Sequence, residues 1–172
     1  MAKRSFKNNE KEHLRRWFMK IGEMVPDFAF NATNNVQGHF NDYKGQIIVL
    51  YFYPKDATPG CTTEGQDFRD AYSQFKDLNT VIFGISRDSL KSHEQFKSKQ
   101  NFPFELISDE NETLCQTFDV IKMKSMYGKQ VRGIERSTFI IDTQGVLTHE
   151  WRKVNVKGHV EEVLNAVRAL VG

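Results

Sequence analysis

The sequence contains only two cysteines, Cys61 and Cys115, and no long apolar run. Two cysteines in 172 residues are too few for a disulfide scaffold and are more natural in a reducing compartment. No apolar run approaches the roughly 20 residues that are needed to cross a bilayer, and the longest, residues 47–52, has the length of a buried strand. The N-terminus lacks the apolar stretch and the cleavage site of a secretory signal. We therefore expect a cytoplasmic protein that does not enter a membrane.

Sequence patterns that bind metal ions or nucleotides are also missing. The five histidines, at positions 13, 39, 93, 149 and 159, show no paired spacing on one helix face. No glycine-rich loop of the kind that holds phosphate groups occurs in the chain. We therefore expect neither a metal site nor a cofactor.

Positive charge is concentrated at the N-terminus. Residues 1–18 contain six Lys or Arg and two Glu, a net charge of +4, which leaves −2 for the rest of a chain whose total is +2. We interpret residues 1–18 as a basic extension and residues 19–172 as one domain. A basic arm can attract nucleic acid or anionic lipid, but the body has no basic stripe with interleaved aromatics, so nucleic acid binding is not favoured. A short extension that docks through Leu14, Trp17 and Phe18 is the other interpretation.

Hydrophobic periodicity predicts an α/β domain. Residues 46–53 are nearly continuous in apolar and aromatic side chains, which is typical of a strand buried on both faces. Apolar residues then recur at helical spacing from about Thr62, and a second short apolar run follows at residues 81–86. Strand, helix and strand in this order predict a right-handed parallel crossover.

The remaining segments complete a mixed sheet. A short hairpin is predicted around Asn34-Asn35, and two helices are predicted over about residues 89–100 and 110–118. The segments 137–141 and 146–151 flank a turn and predict antiparallel strands, and the apolar face of residues 160–170 predicts a terminal helix. A mixed central sheet flanked by helices in this order is the thioredoxin-like arrangement.

Cys61 is predicted to lie at the start of a helix, because it follows Thr58, Pro59 and Gly60 in the loop after the buried strand. Unpaired amide N–H groups in the first turn of a helix, together with the helix dipole, stabilise an anion. This position favours the thiolate, which is the nucleophilic form of cysteine. From position alone, a structural cysteine that packs as a small apolar side chain remains the alternative.

The segment from Tyr51 to Thr62, which reads YFYPKDATPGCT, resembles the active-site loop of peroxiredoxins, in particular the Q-type group, also called bacterioferritin comigratory proteins. The resemblance covers about residues 19–170. It continues through the following segments: Ile21-Gly22, Val25–Phe28, Gly84–Ser86, Ser108–Glu110, Arg136–Asp142, Trp151–Val154 and Gly158-His159. The resemblance implies a peroxidase that reduces hydrogen peroxide and organic hydroperoxides.

The resemblance also implies a role for each residue of the loop. Cys61 is expected to attack one peroxide oxygen and become a sulfenic acid. Thr58 is expected to position the peroxide, because its hydroxyl can accept a hydrogen bond from the substrate and donate one to the thiolate. Pro54 is expected to shield the thiolate from water without adding a competing N–H donor.

Arg136 matches the active-site arginine of the family. Its guanidinium is always charged, and its donors suit both the thiolate and the oxygen charge that develops as the O–O bond breaks. Without the resemblance, a surface arginine paired with Glu135 or Asp142 is the other interpretation. Glu64 is expected to be solvated, because a buried carboxylate one helical turn from Cys61 disfavours a thiolate, whereas solvent screens an exposed one.

The chain departs from the family pattern at the resolving cysteine. Many Q-type peroxiredoxins have this second cysteine five residues after the first, where the present chain has Gln66. The other thiol, Cys115, lies beside Leu114 and Phe118 and is interpreted as a packed core residue. We therefore hypothesise a one-cysteine cycle, in which thioredoxin, glutaredoxin or glutathione reduces the sulfenate of Cys61 directly. We expect a monomer or a weak homodimer.

Two other functions remain open at this point. A thiol-disulfide oxidoreductase would share the fold, but such enzymes usually carry a Cys-x-x-Cys pair, and the fourth position here is Glu64. A thioredoxin-like domain that binds partners or acts as a holdase without catalysis leaves no sequence motif. Peroxide consumption separates the enzyme from the binding protein, and reduction of insulin disulfides separates the two enzymes.

Overall fold

A computed structural model describes residues 18–172. The basic extension predicted at residues 1–18 lies outside this part of the chain, apart from Phe18, and its boundary stays a prediction. The strands are β1 (Ala29–Ala32), β2 (Val36–His39), β3 (Ile47–Phe52), β4 (Thr80–Ser86), β5 (Glu105–Ser108), β6 (Ile121–Met126), β7 (Lys129–Ile134), β8 (Ser137–Ile141) and β9 (Leu147–Trp151). The α-helices are α1 (Pro59–Asp77), α2 (Leu90–Gln100), α3 (Thr113–Thr117) and α4 (His159–Val171). Among these residues, no helix is long and apolar enough to span a membrane.

Seven strands form one mixed sheet in the order β2-β1-β5-β4-β3-β8-β9. The strands β3, β4 and β5 run parallel, so the crossover predicted from strand, helix and strand is confirmed. β8 pairs with β3 and β9 pairs with β8, both antiparallel, which confirms the predicted closing hairpin. The early hairpin is also present, with β1 antiparallel to β2.

The central strand β3 is buried on both faces, because helices or loops cover each side of the sheet. Ile48, Leu50 and Phe52 contribute to the core on one face, which also contains Leu114 and Cys115 of α3. The alternate residues Val49 and Tyr51 contribute to the core on the other face, with residues from α1, α2 and α4. This alternation explains why the strand reads as a continuous apolar run.

Two segments differ from the sequence-based expectation. The helix predicted over residues 110–118 is reduced to α3, because Glu112 adopts a left-handed backbone with φ of 63° and the chain turns before the helix begins. The two-stranded ribbon of β6 and β7 was not predicted. Most of its side chains are exposed or half-buried and several are Lys or Arg, so the strands carry no clear apolar alternation.

Replacement of Gly65 tests how closely α1 packs against the ring of Phe102. A Cβ atom added at Gly65 would lie 2.3 Å from Cζ of Phe102, a buried ring that stacks on Phe104. We expect Gly65→Ala to lower the free energy of unfolding by about 1–3 kcal/mol, because the buried ring must be displaced. Urea unfolding measures this change. Gly133→Ala is the control, since an added Cβ there meets no atom within 4 Å, and a stabilised Gly65→Ala protein would contradict the prediction.

Candidate active site

Cys61 is the third residue of α1, as the sequence predicted for a cysteine at a helix start. Pro59 opens the helix, where its fixed φ suits the first position and its missing N–H is not needed. Thr58 precedes it with extended backbone, φ −82° and ψ 154°. The amide groups of this first turn have no partner within the helix, so they face the surroundings of the thiol. Cys61 itself is only 2% exposed.

Arg136 reaches Cys61 through the pairing of β8 with β3. Ser137 lies opposite Phe52 in this pair. Arg136, the residue before Ser137, therefore lies at the end of the sheet where the chain leaves β3 toward α1. The Nη2 atom of Arg136 lies 3.5 Å from Sγ of Cys61. A Cβ atom at Gly60 would lie 3.1 Å from the same nitrogen, so glycine leaves the space that the guanidinium fills.

Glu64 is buried and bonded, and the expectation that it is solvated is wrong. Its side chain has no exposed surface, and its Oε1 accepts a hydrogen bond of 2.8 Å from Nη1 of Arg136. Burial raises the pKa of Glu64 to about 7, although the charge of Arg136 and its hydrogen bond act in the opposite direction. Arg136 therefore contacts the thiol and a carboxyl group at once, and neither Glu135 nor Asp142 is its partner among residues 18–172.

A sequence signal for the burial of Glu64 existed. Cys61, Glu64 and Phe68 are spaced by three and four residues, which places them on one face of a helix. Phe68 is fully buried on the apolar face of this helix, and the same face extended toward the N-terminus contains Glu64. A carboxylate buried beside Cys61 is unfavourable for the thiolate, and this penalty argued against burial. The partner that offsets the penalty, Arg136, lies 72 residues away in the sequence and is brought near only by the sheet.

The loop residues Thr58 and Pro54 lie close to Cys61 in sequence and are both half-buried. The hydroxyl of Thr58 donates a hydrogen bond of 2.8 Å to the carbonyl oxygen of Lys55. Its single proton is therefore engaged, and only its lone pairs remain to receive a hydrogen bond. The expected donation from Thr58 to the sulfur of Cys61 is not found in the described part of the chain.

Cys115 is separated from Cys61 by the sheet. Cys61 belongs to the core on the face covered by α1, whereas Cys115 belongs to the core on the opposite face. Cys115 is fully buried, and burial together with the nearby Asp109 carboxylate raises the pKa of its thiol far above the ordinary range. Both cysteines are free. These features fit the interpretation of Cys115 as a packed core residue.

His159 lies at the start of α4 with its ring against Phe68 of α1, and no role beyond the resemblance was predicted for it. Its Nε2 lies 2.8 Å from the hydroxyl of Thr138. Burial, together with the positive charge of Arg136, lowers the pKa of His159 to about 4. The imidazole is therefore neutral near pH 7, and Arg136 is the cation of this region that faces the thiol.

Comparison with known proteins gives consistent matches over almost the whole chain. Residues 21–150 match the model of the AhpC/TSA family. Peroxiredoxin Bcp of Bacillus subtilis strain 168 is 50% identical over 150 residues, which make up 87% of this chain and 96% of that protein. Peroxiredoxin Bcp of Xanthomonas campestris pv. campestris is 50% identical over 143 residues, which make up 83% of this chain and 89% of that protein.

A solved structure extends the comparison to three dimensions. The bacterioferritin comigratory protein of Xanthomonas campestris, described in a study of its alkyl peroxide reduction activity, superposes with a TM-score of 0.83 at 46% identity. The match covers 90% of this chain and 98% of that one. It confirms the thioredoxin-like fold class expected from the sequence. Since the family model spans residues 21–150 and the relatives align over most of their length, the chain belongs to the AhpC/TSA family as a peroxiredoxin of the Q-type, or Bcp, group.

Proposed function

We propose that Cys61 is the nucleophile with which this thiol-dependent peroxidase reduces hydrogen peroxide and organic hydroperoxides. The observation that carries the proposal is the guanidinium of Arg136, 3.5 Å from the sulfur and bonded on its other side to buried Glu64. A fixed positive charge at this distance favours the thiolate over the thiol. The helix N-terminus acts in the same direction.

The proposed step forms one bond and breaks one bond. The Cys61 thiolate attacks one oxygen of the peroxide, an S–O bond forms, and the electron pair of the O–O bond leaves with the second oxygen. The sulfur becomes a sulfenic acid, and the leaving oxygen takes a proton to depart as water or an alcohol. Arg136 stabilises the negative charge that moves from sulfur to the leaving oxygen.

Thr58 and Pro54 are proposed to shape the place where the peroxide binds. The lone pairs of the Thr58 hydroxyl accept the O–H of the hydroperoxide, since its own proton is held by Lys55. Pro54 is half-buried and supplies no N–H that would compete for the thiolate. Together they orient the substrate and limit the access of water to the sulfur.

The sulfenate is proposed to be reduced by an external thiol. Gln66 stands where a resolving cysteine is expected, and its amide donates a hydrogen bond of 2.9 Å to Gln100. The sheet lies between Cys61 and Cys115. An external thiol therefore displaces the sulfenic oxygen as water, and a second thiol releases Cys61 from the mixed disulfide. Thioredoxin, glutaredoxin and glutathione are the candidate reductants.

A thiol-disulfide oxidoreductase is disfavoured by the residue at position 64. That chemistry uses the thiol at this position to resolve a mixed disulfide, and here a buried carboxyl group bonded to Arg136 takes its place. No contact in residues 18–172 specifically supports a holdase.

The proposed cycle is tested by following peroxide consumption and intact mass. We expect Cys61→Ser to abolish consumption of hydrogen peroxide and Cys115→Ser to retain it, because only the first sulfur faces Arg136. After one equivalent of peroxide, the wild-type mass should increase by one oxygen. A loss of two hydrogens that disappears in Cys115→Ser would instead demonstrate an intramolecular disulfide and overturn the one-cysteine cycle.

Replacement of Arg136 tests the electrostatic part of the mechanism. We expect Arg136→Met to lower the second-order rate with hydrogen peroxide by about 10²-fold, because the donor aimed at the sulfur and the developing oxygen charge is lost. The double variant Arg136→Met/Glu64→Gln should be equally slow, although it leaves no unpaired buried carboxylate. Stopped-flow measurement on reduced protein gives the rates. Arg168→Met, on the half-exposed far part of α4, is the control, and a normal rate in Arg136→Met would exclude the proposed role.

The raised pKa of Glu64 predicts how the free energy of unfolding changes with pH. The folded protein keeps the Glu64 proton up to a pKa of about 7, whereas the ordinary value is 4.5. Folding therefore takes up a proton between these values, and the Glu64 contribution to the free energy of unfolding is lost as the pH rises from about 4.5 to about 7. Subtracting the Glu64→Gln stability from that of the wild type should give a difference that falls across this window and is flat above it.

Both proteins contain His159, whose lowered pKa makes its contribution to the free energy of unfolding rise with pH. Because this contribution is the same in both proteins, the subtraction removes it. Urea unfolding at a series of pH values measures the difference. Glu162→Gln, at an exposed position of α4, is the matched control and should show no such fall. A difference that rises with pH would mean that Arg136 holds the pKa of Glu64 below, not above, its ordinary value.

A further inference from the structure

A buried hydrogen-bonded cluster anchors the loop that leads to Cys61. Asp56 lies in this loop, and its carboxyl group is 4% exposed. Its Oδ1 accepts a hydrogen bond of 2.6 Å from the hydroxyl of Tyr53, and its Oδ2 accepts one of 2.8 Å from the hydroxyl of Ser92. The same Oδ2 lies 2.7 Å from Nδ1 of His93, a fully buried residue of α2. We call these four residues the Asp56 clasp.

The ring of His93 is bonded at both nitrogens. Its Nε2 lies 3.0 Å from the carbonyl oxygen of Ile107, which can only accept, so Nε2 carries a proton. One further proton lies between Nδ1 and the Asp56 carboxyl group. The bond exists whichever of the two atoms holds this proton, and the charge-assisted form is the stronger one. His93 therefore ties the loop to β5 as well as to α2.

A cluster of Asp56, Asp88 and His93 could also be read as a metal site, because their ligand atoms lie within 4.8 Å of one another. The hydrogen bonds argue against this reading. Both oxygens of Asp56 are already acceptors, and Oδ2 of Asp88 accepts the backbone N–H of Asp56 at 3.0 Å and the hydroxyl of Ser86. Both carboxylate oxygens of Asp56 and Oδ2 of Asp88 therefore serve to hold the loop.

The residue after Asp56 shows what the clasp holds in place. Ala57 has a φ of 61°, in the left-handed region that a residue with a Cβ atom adopts only with strain. The neighbouring backbone N–H and side chain of Asp56 are fixed by Asp88 and by the clasp. These bonds offset the strain at Ala57. One residue later the chain reaches Thr58, and α1 begins directly after it.

We propose that Asp56 and His93 are positioning residues of the peroxidase site, which keep the loop in the conformation that holds Cys61 against Arg136. The inference rests on the function proposed above for Cys61. Neither residue has a hydrogen bond to Cys61 or to Arg136 in the described part of the chain, so both act through the loop and the first turn of α1.

The burial of Cys61 gives the clasp two opposite effects. With Cys61 only 2% exposed, the loop conformation suits a small peroxide held beside Arg136. The same conformation keeps a larger thiol reductant away from the sulfenate. A weaker clasp should therefore slow the reaction with peroxide and accelerate the reaction of the sulfenate with an external thiol.

The test measures these two rates separately on full-length protein. We expect Asp56→Ala/His93→Leu, which removes both polar partners together, to react with hydrogen peroxide about tenfold more slowly, as expected for a displaced reactive group. Its sulfenate, formed with one equivalent of peroxide, should react severalfold faster with glutathione than the wild-type sulfenate. Adding Ala57→Gly should restore part of the peroxide rate, because glycine adopts a positive φ without the penalty of a Cβ atom.

Controls separate positioning from loss of structure and from failure of the proposed function. His149→Leu removes a half-buried histidine of β9 and should leave both rates unchanged. If the double variant does not fold, Tyr53→Phe, which removes one donor of the clasp, should shift both rates in the same directions by smaller factors. Clasp variants that match the wild type in both rates, or that lose both rates together without rescue by Ala57→Gly, would refute the inference. A wild-type Cys61 that does not react with peroxide would instead refute the proposed function.

Discussion

The guanidinium of Arg136 is the contact on which the arrangement around Cys61 depends. It lies 3.5 Å from the sulfur and donates a bond of 2.8 Å to Glu64, so one cation serves two acidic groups. Without it, a fully buried carboxyl group would have no charged partner, and an unpaired buried charge destabilises a protein strongly. Glu64 in turn fixes the orientation of the guanidinium, because Nη1 of Arg136 is bonded to Glu64 and Nη2 faces Cys61.

The fold brings these groups together through strand pairing. The loop that leads to α1 begins at the end of β3. Because Phe52 pairs antiparallel with Ser137, Arg136 lies at the same end of the sheet. The parallel neighbour β4 leads to α2, which supplies Ser92 and His93 to the loop from the other side. The thiol is thus held between elements that are far apart in sequence. The same sheet keeps Cys115 in the core of its opposite face.

Two errors of sequence interpretation have one physical origin. Glu64 was expected to be solvated because a carboxylate buried one helical turn from Cys61 disfavours the thiolate, but its partner Arg136 comes from a distant part of the sequence. Thr58 was expected to donate to the thiolate, but its proton is taken by the carbonyl of Lys55, a contact set by the local shape of the loop. In both cases the residue type allowed several partners, and the three-dimensional neighbours selected one.

The sequence by itself determined the buried central strand, the parallel crossover, the closing hairpin and the position of Cys61 at a helix start, because each depends on local periodicity or on turn-forming residues. The resemblance of residues 51–62 to a peroxiredoxin loop identified the family. Only the tertiary structure decided that Glu64 is buried with Arg136, that Asp56 is bonded to His93, and that the sheet separates the two thiols. These facts depend on which side chains meet across strands and helices, and no local pattern records such long-range contacts.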